Sequence, residues 1–212
     1  HIVAEGMNIE ACSGGVEGGC RAFTSRKNTI RFQRYVAGEH GIGIVCTEVP
    51  EDFLSEGDRV YGGGFGFRLD TGSFAPLSGS NGPRKIRIVD FYADACNRCG
   101  VWIEWEGSGD RDGVEMVGIS TRNIGQPVTV EGYPTSGTAD NNASISVVGN
   151  ASGDLTRVSI DGARLEGWSG NTAACILTDY AVGVHVSNVS YADHAAPTLG
   201  DTDILTSNVN EF

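Results

Sequence analysis

Basic charge is scarce in this chain of 212 residues. Fifteen Lys and Arg stand against 27 Asp and Glu, for a net charge of −12, and lysine occurs only at Lys27 and Lys85. Phosphate recognition needs a basic surface, and the composition offers none, which argues against a nucleic-acid binder. Long apolar runs are missing as well: none reaches about 18 residues, so no membrane-inserting segment is expected. Six cysteines, Cys12, Cys20, Cys46, Cys96, Cys99 and Cys175, are too few to staple a chain this long. Cys96-Asn97-Arg98-Cys99 is a CxxC, readable as half a zinc site, as a redox pair or as buried small residues. The second pair that zinc wants and the strand-to-helix setting that a redox motif wants are both lacking.

Glycine, in contrast, is plentiful, at 31 residues, while the core formers include only eight Phe and three Trp. Many tight turns around a thin core favour a solenoid over a compact globule. The strongest pattern runs from Pro83 to Gly132. Ile86-Arg87-Ile88 is answered by Val101-Trp102-Ile103, and Val114-Glu115-Met116 by Val128-Thr129-Val130. Each trio alternates apolar and polar, as a strand with one buried face does, and no helical spacing lies between them. A unit of strand, turn, strand and loop, about 28 residues long, cannot bury its own apolar face and has to stack on copies of itself.

Ile30, Val60, Ile86 and Val114, taken as successive first strands, recur at roughly 26 to 30 residues. Further units hold Ile145-Ser146-Val147-Val148 as a third strand of one turn, then Val158-Ser159-Ile160 and Val182-Gly183-Val184. Long polar loops, 47–58, 70–84, 106–113 and 132–142, each follow the second strand of their unit, which would align them as one wall of a groove. The expected architecture is all-β, a parallel β-helix of about seven turns over residues 1–194, with 195–212 as an exit segment or linker. The chain opens inside a strand without a capping element, so it reads as a piece of a longer solenoid.

Lys85-Ile86-Arg87-Ile88-Val89-Asp90 with Gly100-Val101-Trp102-Ile103, and Asn28-Thr29-Ile30-Arg31-Phe32 with Gly41-Ile42-Gly43-Ile44, resemble the right-handed parallel β-helices of the pectin-lyase-like superfamily, and among them viral tailspikes and tail fibres. The resemblance covers about residues 1 to 190. It implies a homotrimer on a virion surface or in the extracellular space that binds, and in some members cleaves, a cell-surface polysaccharide. Secreted polysaccharide lyases or hydrolases, and plain structural or adhesive solenoids, are the alternatives. The paired-aspartate motif of polygalacturonases is absent, and Glu39-His40-Gly41 echoes only their Gly-His-Gly motif.

Strand alternation supplies candidate residues. Val101, Ile103 and Trp105 are expected to face inward, and Trp102, Glu104 and Glu106 outward, with Arg68 and Asp70 on the preceding turn and Glu131 on the next. Two carboxylates about 5 Å apart suit a retaining glycosidase, as Glu104 with Glu131 would; a wider pair suits an inverting one, as Asp70 with Glu131 would. Glu104, Glu131 and Asp70 are therefore the catalytic candidates. Trp102 would offer a platform to a sugar ring, Arg68 a fork for a uronate or sialate carboxylate, and Glu106 a further contact. A solvated acidic face is the competing account of the same residues. No cofactor or metal is assigned.

Overall fold

The structure is a computed structural model that describes residues 2–10, 14–18, 22–32, 42–47, 52–70, 84–96, 98–105, 111–124, 143–149, 155–167, 174–193, 197–199 and 205–211. Among these residues every regular element is a strand, and every strand pairs in parallel with one that follows or precedes it in the next repeat. The strands form three columns. The first contains Ile2–Glu5, Ala22–Arg26, Asp52–Glu56, Arg84–Val89, Arg111–Val117, Leu155–Asp161 and the start of His185–Ala192. The second contains Asn8–Glu10, Thr29–Arg31, Arg59–Tyr61, Tyr92–Asp94, Ser120–Ile124, Arg164–Gly167 and the end of His185–Ala192. The third contains Gly14–Gly18, Ile42–Thr47, Phe65–Asp70, Cys99–Glu104, Ala143–Val148, Ala174–Asp179 and Thr198–Leu199. This is an all-β, parallel, solenoid-like coil, compatible with a parallel β-helix.

Ile86 pairs with Val114 as the repeat requires, but each rung has three strands where two were expected. Ile30 and Val60 lie in the second column, and their first-column counterparts are Phe23 and Phe53, which continue into Ile86, Val114 and Val158. The supposed loop 47–58 contains the strand Asp52–Glu56, whose Phe53 and Ser55 are fully buried. The third-column partner of Cys99–Glu104 on the following rung is Ala143–Val148; the expected strand Val128–Val130 lies outside the described residues. Beyond residue 194, Leu205–Glu211 pairs with His185–Ala192.

On the first six rungs two residues separate the first and second columns, and the first of the two bends the chain sharply. Gly6, Lys27, Gly57, Asp90, Gly118 and Gly162 occupy this position, and Asn188 its equivalent within His185–Ala192, with φ between 51° and 68°. Glycine takes this left-handed conformation freely, while a side chain there costs about 1–2 kcal/mol. The bend keeps its amides paired between rungs: Lys27 N–H donates to Glu56 O at 2.8 Å, Gly57 to Val89 O at 2.9 Å, Asp90 to Val117 O at 2.9 Å and Gly118 to Asp161 O at 2.9 Å.

Inside the coil, like residues stack on like. Phe23 lies over Phe53 with ring centroids 5.5 Å apart, and Phe53, Phe67 and Phe91 meet edge to face. Each such side chain contributes about 1.5–3 kcal/mol by leaving water. Next to the bend, a polar stack fills two rungs. Asn28 accepts from Met7 N–H and donates to Ala4 O and Ser25 Oγ, and Asp58 accepts from Asn28 N–H at 2.8 Å and from Ser55 Oγ at 2.7 Å. Register makes Ile88 follow Ser55, and Phe91 lies one residue before Tyr92, the partner of Arg59, so the stack turns apolar on the next rung. Asp58 is fully buried against that boundary. Burial holds its carboxyl above the ordinary value of 3.8, against the pull of the hydrogen bonds from Asn28 and Ser55.

The corner where the third column begins is narrow. Register aligns Gly15, Gly43, Gly66, Gly100, Ser144 and Cys175 on successive rungs. A Cβ on Gly66 would sit 2.5 Å from Gly100 O and 2.7 Å from Ala93 Cβ. Gly66→Ala is therefore expected to destabilise the coil by about 1–3 kcal/mol, measured by urea unfolding. Gly6→Ala, whose Cβ would meet nothing within 4 Å, should lose only the backbone cost of about 1 kcal/mol.

The Asp58 carboxyl keeps its proton to higher pH folded than unfolded. Its contribution to stability is thus fully present below 3.8 and is lost as the pH rises through the folded value. Asp58→Asn, which can accept from Asn28 and donate to Ser55, should remove that part of the pH dependence and leave the protein at least as stable at pH 7. A urea midpoint well below wild type at neutral pH would contradict this account.

Candidate functional site

Of the residues that alternation selected, Arg68, Asp70, Trp102 and Glu104 belong to the third-column strands Phe65–Asp70 and Cys99–Glu104. Trp102 is the register partner of Arg68, and Glu104 of Asp70. Val101, Ile103 and Trp105 face the core, as expected. On the following rung the strand partner of Glu104 is Val148, and that of Trp102 is Ser146. Glu131 and Glu106 lie outside the described residues.

Trp102 is no open platform. It is 8% exposed and forms a small apolar cluster with Phe65 and Cys99, separate from the main core. Its ring sits 4.7 Å from that of Phe65, and the Arg68 guanidinium lies 4.9 Å above Trp102 and 5.2 Å above Phe65. An arginine lying over two adjacent aromatic rings is anchored by cation–π attraction, which orders its fork. Trp102 Nε1 and Ser146 Oγ are buried with no hydrogen-bond partner among the described residues.

The CxxC is inert in this state. Cys96 and Cys99 are fully buried free thiols, and Cys96 Sγ lies 3.3 Å from the Gly62 carbonyl that accepts from it. Burial raises both; the Cys99 thiol is pushed up to about 12, so neither is a thiolate at neutral pH. Among the described residues no cluster of three His, Cys, Asp or Glu could hold a metal ion.

A second surface, unforeseen from the sequence, lies on the outer face of the second column. Its two outward rows read Thr29, Arg59, Tyr92, Ser120, Arg164 and Arg31, Tyr61, Asp94, Arg122, Glu166 along successive rungs. Arg31 lies 5.0 Å over the Tyr61 ring, Arg59 6.0 Å over the Tyr92 ring, and the two tyrosine rings are 5.6 Å apart. Tyr92 Oη donates to Asp94 Oδ2 at 3.2 Å, and Asn123 Nδ2 donates to Asp94 Oδ1 at 3.0 Å. Toward the bend, this face borders an open groove of about 580 Å³ lined by Lys27, Thr29, Arg59, Asp90, Tyr92 and Ser120, with Gly57 and Gly118 between them. The signal lay in the trios Thr29-Ile30-Arg31, Arg59-Val60-Tyr61 and Tyr92-Ala93-Asp94, whose flanking residues align only when a rung is divided into three strands.

Compared with protein families, with curated proteins and with solved structures, the chain matches none.

Burial first, then the Asp94 carboxylate, holds the Tyr92 hydroxyl above the ordinary tyrosine value of 10.0. Asp94→Asn removes a neighbouring negative charge, so Tyr92 should ionise at a lower pH than in the wild type. An NMR titration of the Tyr92 ring carbons reads this directly, and an unchanged midpoint would remove Asp94 from the account.

Proposed function

We propose that the chain is a polysaccharide-binding β-helix of the virion tailspike or tail-fibre kind, which holds a cell-surface glycan along the outside of its coil. The observation that carries this reading is the outward ladder of arginine and tyrosine on the second column, with its adjoining groove. Rungs repeat at about 4.8 Å, close to the length of one sugar unit. A linear glycan lying along the coil therefore meets an equivalent side-chain position at each unit. Tyrosine faces accept the apolar side of a sugar ring, and arginine forks bind hydroxyls and oxyanions.

Cleavage of the bound glycan, by a hydrolase or lyase of the pectin-lyase-like kind, is a second reading with its own support. Asp70 and Glu104 are strand partners on adjacent rungs, and a retaining glycosidase needs two carboxyl groups about 5 Å apart. The homotrimer that the resemblance implies would need an outward apolar face. The exposed large apolar side chains among the described residues are Ile2, Val3, Met7 and Tyr180, three of them in the first rung.

On a panel of immobilised cell-surface polysaccharides, the wild-type chain is expected to retain at least one, and Tyr61→Ala to weaken that retention. No retention anywhere on the panel would leave a purely structural solenoid. If reducing ends or an unsaturated product are released, Glu104→Gln should abolish release with the coil intact; full activity in that variant would discard the carboxylate pair.

A further inference from the structure

The bend beside the groove carries two side chains in a conformation that favours glycine. Four successive rungs put Lys27, Gly57, Asp90 and Gly118 at the bend position. Two are glycines, as the left-handed conformation favours. The other two hold side chains there, Lys27 at φ 51° and Asp90 at φ 51°, against that preference. Lys27 is one of only two lysines in the chain. It is exposed, and among the described residues neither Lys27 nor Arg59 has a carboxylate partner. Among the described residues, therefore, no ion pair offsets the strain at Lys27. Both cations instead line the same groove.

The groove is also polar along its length. Lys27 and Arg59 lie on adjacent rungs at one end, and Asp90 and Tyr92 share the next rung. Thr29 and Ser120 line the same groove, and Gly57 and Gly118 make room for the neighbouring bend side chains, since a Cβ there would meet Lys27 Cγ at 3.4 Å and Asp90 Oδ1 at 2.7 Å. Three rung spacings make roughly 14 Å, enough for a short oligosaccharide.

We propose that this groove binds a sugar unit bearing an oxyanion, with Lys27 and Arg59 on the anionic group, Asp90 accepting from ring hydroxyls and Tyr92 against the ring. It deepens the glycan-binding reading and rests on it. The shared chemistry is a carboxylate, sulfate or phosphate ester on a saccharide, set in a locally cationic patch of an acidic protein.

Calorimetric titration with tetragalacturonate, a sulfated tetrasaccharide, a phosphorylated oligosaccharide and neutral maltotetraose tests it, with inorganic sulfate and phosphate as controls. At least one charged oligosaccharide should bind, weakening as salt rises, and the neutral one should not. Which charged sugar binds names the oxyanion. Lys27→Gly and Arg59→Gln should each weaken binding by roughly tenfold, the size of one charge-assisted hydrogen bond. Lys27→Gly also relieves the bend, so its melting temperature should be no lower than wild type, which separates lost binding from lost fold. Binding of a charged glycan unaffected by both substitutions would overturn the groove and leave the glycan reading standing. Equal binding of the neutral sugar, or of the bare anions alone, would also overturn it. Failure of all four oligosaccharides overturns the groove assignment, and the polysaccharide panel then decides the broader reading separately.

Discussion

At the bend between the first two strand columns, the amide of one residue per rung donates to a carbonyl one rung away, from Gly6 to Arg26 through Gly162 to Ser187. Parallel strands need every backbone group paired with a neighbour, and a corner is where that pairing usually breaks. Here it is kept by a single residue in the left-handed conformation. Because the turn has the same length from rung to rung, side chains on either side stay in register. The stacked phenylalanines, the Asn28 and Asp58 pair and the outward arginines and tyrosines all inherit their alignment from it. Cross-rung ion pairs such as Arg26 with Glu56 and Arg87 with Glu115, each 2.7 Å, are partly exposed and worth about 0–1 kcal/mol each. They reinforce the register more than the stability.

Much of the coil was legible in the alternation of Ile86-Arg87-Ile88 and Val101-Trp102-Ile103, because these strands bury one face and expose the other. What hid the third strand was chemistry inside the coil. Ser25, Asn28, Ser55 and Asp58 are buried polar residues that satisfy one another, so the segments carrying them look like loops. Glycine at positions 15, 43, 66 and 100 hid the remaining corner. Each was visible as a turn former, yet the alignment that makes them one column depends on a register that spacing alone does not supply. The interval from Ile86 to its partner Val114 is much shorter than that from Val114 to Val158, since residues 125–142 fall in the second.

The candidate site was legible in part for the same reason. Alternation put Arg68 and Asp70 on the turn before Trp102 and Glu104, and in the coil they are strand partners, Arg68 of Trp102 and Asp70 of Glu104. It could not show that Trp102 would be buried with Phe65 beneath an arginine, because Phe65 shares its parity with the inward Phe67. The change of face between them occurs at Gly66, whose missing Cβ points toward Phe91 and Ala93 inside the coil. The second-column face escaped notice because its strands are only three residues long at Thr29–Arg31, Arg59–Tyr61 and Tyr92–Asp94. A trio carries too little period to stand out.

The backbone hydrogen bonds that join rungs run along the coil, while the covalent chain runs around it. A tether pulling on the two ends would therefore load those bonds head-on, one rung at a time, with each detached rung exposing an edge like the one before it. A force across the coil would instead be carried along the strands by covalent bonds. The molecule is in this sense anisotropic, weak to peeling from its ends and strong around its girth.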